Sequence, residues 1–259
     1  MNVFNLKHLS RAGVFAAAIL LPLLAGIGSA GCTRLDGVSL PKPYDALGQV
    51  RLMEGILDEQ PGYQLLMGEP FENLRPWTSR AASSSLSDIR YIFRVPKGKA
   101  YAEERRIIEE RRIGDYRFER SLFVHTSIEL PGRQQFWFHP KEKIPLQGQL
   151  FLASFWVHSN MYLHRLVLLF RNADGREIRV PAGRLTWHGW RRLTVKLPRA
   201  LYRRGRSEGR QYEHFFTGML LISHPRQPAG DVALMFDNML ILSDMHEFRF
   251  PGTEYRDAW

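Results

Sequence analysis

From Ser121 onward the chain alternates short apolar runs with turn signals, spaced too closely to hold helices between them. That cadence limits what it can fold into more than any other feature. Phe123 to Leu130 is closed by Pro131-Gly132, and Gln135 to Phe138 by His139-Pro140. Leu150 to Val157 and Leu166 to Phe170 are apolar runs. Asn172-Ala173-Asp174-Gly175 then reads as a hairpin turn, its glycine supplying the positive φ that the turn demands, and Ile178 to Val180 returns. Trp190 to Leu197, Gly218 to Ser223 and Val232 to Leu242 complete the set. Hairpin spacing without crossover helices predicts an all-β chain, an antiparallel β-sandwich of jelly-roll type. Trp156, Leu166, Leu168, Phe170, Val195, Leu220 and Phe236 are the expected core.

Upstream, Ile89 to Val95 reads as the first core strand, ended by Pro96-Lys97-Gly98. Ala102 to Arg112 carries Glu and Arg doublets whose offsets suit pairing across one helical turn, a solvated face over a narrow apolar seam; a two-stranded reading of this run stays open. The stretch before it is rich in Pro, Gly and Ser, with one short helix expected over Tyr44 to Leu57 and a polar Ser83-Ser84-Ser85 spacer. The domain reading is therefore an N-terminal arm or linker over 32–87 and the β-sandwich over 88–259.

Residues 1–31 have the order of a secretory signal: Lys7, His8 and Arg11, an apolar run from Ala12 to Ile27, then the small residues Gly28-Ser29-Ala30. Export to the periplasm follows. Cys32 is the single cysteine, and Ser29-Ala30-Gly31-Cys32 nearly fits a lipobox, which makes a lipid anchor at Cys32 the alternative to simple cleavage. One cysteine forms no intrachain disulfide, so the fold must rest on its core.

The net charge of +10 is concentrated in one stretch. From Arg171 to Arg210 there are twelve Lys or Arg against Asp174, Glu177 and Glu208 alone. Such a strip seeks an anionic partner, and for an exported protein an acidic protein surface, anionic lipid or a cell-wall polymer suits better than nucleic acid. Arg191, Arg192, Arg199, Arg203, Arg204, Arg206 and Arg210 are the expected contacts, with Arg203-Arg204-Gly205-Arg206 at the centre because guanidinium pairs with carboxylate bidentately.

Catalytic signals are missing. There is no Gly-x-Ser-x-Gly elbow, P-loop or His-Glu-x-x-His, and Glu103-Glu104 and Glu109-Glu110 are matched by arginines. His158, His164 and His188 lack the paired spacing of zinc ligands and read as surface or turn histidines. Trp187 and Trp190, flanking Gly189, read as corner packing, with a sugar-stacking platform as the alternative.

Between Trp156 and Asp244 stand Trp156-Val157-His158-Ser159-Asn160, Tyr162-x-His164-x-Leu166, Gly183-Arg184-Leu185-x-Trp187-x-Gly189-Trp190-Arg191, Phe216-Thr217-Gly218 and Phe236-Asp237-Asn238, with the ending Asp257-Ala258-Trp259. In that order these pieces carry a resemblance to the spirochaetal flagellar filament outer layer proteins, the FlaA family. It implies a non-enzymatic periplasmic protein that coats the flagellin core of an internal flagellum beside other sheath proteins, shaping its stiffness and curvature. At fold level the region also resembles carbohydrate-binding jelly rolls, in which an aspartate at the place of Asp237 can ligate a structural calcium. The residues themselves favour a strand-end side chain bonding backbone amides, since one carboxylate falls far short of six oxygen ligands. No other cofactor is implied. A periplasmic or lipid-anchored carbohydrate-binding module is the competing function.

Overall fold

In the computed structural model, which describes residues 38–81, 87–114, 116–201 and 213–246, the alternating segments become two antiparallel sheets. Helix α1 (Ala46–Glu59) leads into β1 (Tyr63–Glu69), β2 (Trp77–Ala81) and β3 (Ser87–Ile92), and α2 (Lys99–Glu110) follows. Then come β4 (Ser121–Ile128), β5 (Gln135–Pro140), β6 (Ile144–Gln147), β7 (Gln149–Asn160), β8 (Arg165–Arg171), β9 (Glu177–Arg184), β10 (His188–Lys196), β11 (Glu213–Ile222) and β12 (Gly230–Asp244). The first sheet has the order β10-β7-β12-β4-β3, with β1 also paired to β12; the second has the order β2-β5-β11-β8-β9, with β6 also paired to β11.

Strand β12 is the spine of the first sheet. Its first half pairs with β4 and its second half with β1 along one edge, while β7 runs along the other. The alternation read from sequence points Phe155, Val157, Leu193, Phe236 and Ile241 inward, against Phe136, Phe138, Leu168, Phe170, Phe216 and Leu221 of the second sheet. The hairpin at Asn172–Gly175 forms as expected: Gly175 N donates to Asn172 O at 2.9 Å, and Gly175 has φ +80°.

Three expectations need correction. Residues 32–87 are not an arm throughout, because α1, β1 and β2 lie there and both strands are paired into the sheets. The run opening at Ile89 is an edge strand rather than the first core strand. Of the expected core, Leu166, Leu168, Phe170 and Phe236 are in the central cluster, and Val195 is half-buried against it. Leu220 packs with Val167 and Leu169 on the outer side of the second sheet. Trp156 is buried too, but it faces α2, where its ring meets Tyr101 edge-on at 5.8 Å.

The two helices explain that face. Asp45 caps α1 by accepting from Gly48 N at 2.8 Å, and Gln49, Val50, Met53, Ile56 and Leu57 form its buried stripe. The Glu/Arg run is helical, so the two-stranded alternative falls. Its buried positions are Tyr101, Glu104, Ile107 and Ile108, and Arg106 reaches across to Glu54 of α1 at 2.6 Å. The pair α1–α2 covers part of the outer face of the first sheet. Among the described residues no helix is long and apolar enough to cross a membrane.

Candidate functional site

The basic strip divides on folding. Arg199 is exposed, and Arg191 lies half-buried with its guanidinium 4.8 Å from the centre of the Trp187 ring. Arg203, Arg204, Arg206 and Arg210 lie outside the described residues, as does Cys32. Arg192 overturns the expectation of a surface contact: it is 0% exposed and its Nε donates to Glu104 Oε2 at 2.6 Å. The reason is sheet geometry. Leu193 points into the core, so its neighbour Arg192 must point to the opposite face, where α2 lies.

Glu104 and Arg192 are the centre of a buried polar network that the sequence reading missed. Glu104 Oε1 accepts from Trp156 Nε1 at 3.0 Å and from Asn238 Nδ2 at 3.2 Å. Arg192 Nη1 donates to Thr194 Oγ1 at 3.3 Å, and the Thr194 hydroxyl donates to Gln49 Oε1 of α1 at 2.8 Å. Helix periodicity was the available signal, since Glu104 sits three residues after Tyr101 and three before Ile107, within the apolar stripe. The network fastens both helices to β7, β10 and β12.

Asp237 is buried in the same layer, inside β12 rather than at a strand end. Ser121 Oγ lies 2.9 Å from Asp237 Oδ2 and also contacts Arg94 O, yet a serine has one proton to give. Burial raises the Asp237 carboxyl well above its ordinary range, with Glu104 and Glu72 adding to the effect against the hydrogen bond from Ser121. A neutral Asp237 donating to Ser121 Oγ reconciles the two contacts. Calcium does not fit this surrounding: one buried carboxyl and one hydroxyl fall far short of the six or more oxygen ligands a calcium ion takes. Among the described residues no group of three or more His, Cys, Asp or Glu side chains is placed to hold a metal ion.

The tryptophans do not share a flat platform. Trp187 is buried in the core, its Nε1 donating to Gly189 O at 3.1 Å, while Trp190 stands half-buried on the outer face of the first sheet, edge-on to His158 at 5.5 Å. Gly189 has φ +86°, which lets the chain turn between them. His158 and His188 are neighbours at 6.4 Å, but His164 is elsewhere and fully buried, not a surface histidine. It accepts from His224 N at 3.1 Å, and burial pushes its ring down to about 4, so it is neutral.

Exposed basicity remains on the second sheet. Arg165 and Arg184 stand opposite each other in the β8–β9 pair, and Arg171 and Arg176 flank the hairpin turn. None of the four has an acidic partner among the described residues, whereas Arg179 is paired with Glu177 at 2.8 Å. Apart from the paired Arg179, the strip's exposed arginines among the described residues are Arg199 and, on this edge, Arg171, Arg176 and Arg184; Arg165 extends the edge beyond the strip.

Fold and site together describe a two-sheet antiparallel β-sandwich with a helical cover and a basic edge. Residues 129–251, just under half of the chain, match the family model described as flagellar filament outer layer protein FlaA, and the family expected from Trp156 to Asp244 is borne out there. Comparison with curated protein sequences gives no match. Among solved structures, the family 11 carbohydrate-binding module of the cellulosomal cellulase Lic26A-Cel5E of Clostridium thermocellum is similar at 10% identity and TM-score 0.40, covering 69% of this chain and 94% of its own. The CBM22-1 xylan-binding domain of Paenibacillus barcinonensis Xyn10C is similar at 13% identity and TM-score 0.34, covering 70% and 96%. TmCBM61 in complex with beta-1,4-galactotriose is similar at 13% identity and TM-score 0.36, covering 68% and 94%.

Proposed function

We propose that this protein is a non-enzymatic structural subunit of the outer layer of a periplasmic flagellar filament. It coats the flagellin core alongside other sheath proteins and contributes to filament shape, stiffness and motility. The match of residues 129–251 to the FlaA family carries the reading. The signal-like order of residues 1–31 supports export, with the mature chain starting at Gly31 or Cys32. The basic edge formed by Arg165, Arg171, Arg176 and Arg184, together with Arg199 and the 203–210 segment, supplies the electrostatic attraction to an acidic filament surface. A carbohydrate-binding role through Trp187 and Trp190 is the weaker reading, because Trp187 is packed in the core and offers no ring face to a sugar.

Filaments purified from the source organism should contain this chain by mass spectrometry, its mature N-terminus should map to residue 31 or 32, and raising the salt should release it, since exposed charges are screened within about 10 Å at 0.1 M ionic strength. Recovery of full-length protein in the cytosol, with none on filaments, would refute the proposal.

A further inference from the structure

Strand β1 is paired on one side only. Met245 N donates to Gly62 O at 2.8 Å, so Gly62 turns its main chain towards β12, and by alternation Leu65 and Met67 turn theirs the other way. No strand pairs with that outer edge among the described residues. A cleft of about 650 Å³ lies along it. Its floor is five consecutive residues, Tyr63 to Met67, and successive side chains point to opposite faces of a sheet. A cavity running along the strand edge touches all five.

The walls narrow the choice of occupant. On one side stand Arg111 and Arg112, just beyond α2; on the other are residues 145–147 of β6. Arg111 is held by Asp58 at its exposed rim, while Arg112 is exposed and has no acidic partner among the described residues. Among the described residues no acidic side chain lines the cleft; Asp115, between the lining residues Ile113 and Tyr116, lies outside them. β6 is a poorer template for pairing than β1, because Pro145 has no N–H to offer. Leu57, Pro61, Ile113 and Tyr116 complete the lining with largely apolar surface.

We propose that the free edge of β1 receives an extended, acid-bearing segment of a neighbouring filament protein, which adds to the first sheet as a further strand. Main-chain hydrogen bonds to Leu65 and Met67 would give the contact its strength, and a carboxylate on Arg112 its register. A long free edge is otherwise a site of unwanted pairing, which natural sheets cover or blunt. The partner's identity rests on the coat reading above; the mode of binding rests on the geometry of β1.

The test uses the whole mature protein and purified flagellar filaments of the same organism stripped of their coat. The protein should pellet with the filaments, and in the pellet the Leu65 and Met67 amides should exchange hydrogen at least about ten-fold more slowly than in the free protein. Met67→Pro removes one edge N–H, and Arg112→Glu reverses the wall charge. Each should weaken pelleting by about ten-fold or more, with the thermal melt of Arg112→Glu unchanged. Pelleting without protection of Leu65 and Met67, or with Arg112→Glu binding as the parent does, overturns this inference and leaves the coat reading standing. Failure of the parent protein to pellet overturns both. Protection that appears without filaments as protein concentration rises, together with dimers in sedimentation, makes a second copy the occupant and overturns the choice of partner.

Discussion

Replacing Arg192 by methionine tests the internal network most directly. The substitution keeps most of the side-chain volume and removes the guanidinium, leaving the Glu104 carboxylate 1% exposed with only Trp156 Nε1 and Asn238 Nδ2 as donors. Breaking a buried ion pair from one side costs about 3–5 kcal/mol, because the surviving charge is stranded away from water. In a chain of this size each kcal/mol moves the melting temperature by about 2–4 °C, so the midpoint should fall by about 6–20 °C. Glu104→Gln added to Arg192→Met removes the second charge while keeping an oxygen for Trp156 and Asn238. The double variant should recover most of the loss, giving a coupling energy of about 2 kcal/mol or more in the cycle. Urea denaturation followed by far-ultraviolet circular dichroism measures all four corners. A single-variant cost below about 1 kcal/mol, the level of an exposed pair, would refute the claim that this bridge fastens the helices to the sheet.

Two further outcomes are expected. Phe236→Ala empties a fully buried position between the sheets, beside Phe71 at a ring distance of 6.2 Å, and should cost about 3–5 kcal/mol in the same assay; a cost below about 1 kcal/mol would contradict the core assignment. Asp237 has its folded pKa raised above the ordinary value of 3.8, so the stability tied to its proton is present below that pH and is lost as pH rises through the folded pKa. Asp237→Asn should therefore gain on the parent as pH increases from 4 towards 9; parallel stability curves over that range would show that Asp237 is ionised throughout.

Much of the sandwich was legible because alternation and turn chemistry are local. Asn172–Gly175 turned as expected, and the runs behind β4, β5 and β7 to β12 all became strands, since each carries its own period of two and its own terminators. Strands β1, β2 and β6 were not legible. Tyr63–Glu69 and Trp77–Ala81 sit among Pro, Gly and Ser, and Ile144–Gln147 is only four residues long, so their strand character comes from the partners that hydrogen-bond to them. The site residues followed the same division. A count of charges finds the basic strip, but nothing local separates the exposed Arg184 from the buried Arg192.

By itself, the amino-acid sequence determined the class of fold, the place of the first helix, the basic stretch and the family resemblance, because each of these is written in neighbouring residues or in their order. The tertiary structure alone decided that Glu104 meets Arg192 across 88 residues, that Trp187 is core while Trp190 is surface, and that β1 has no second strand partner among the described residues. The physical reason is that burial and strand pairing belong to the other side of a contact. A side chain's period says which face it takes; only the folded chain says what covers that face.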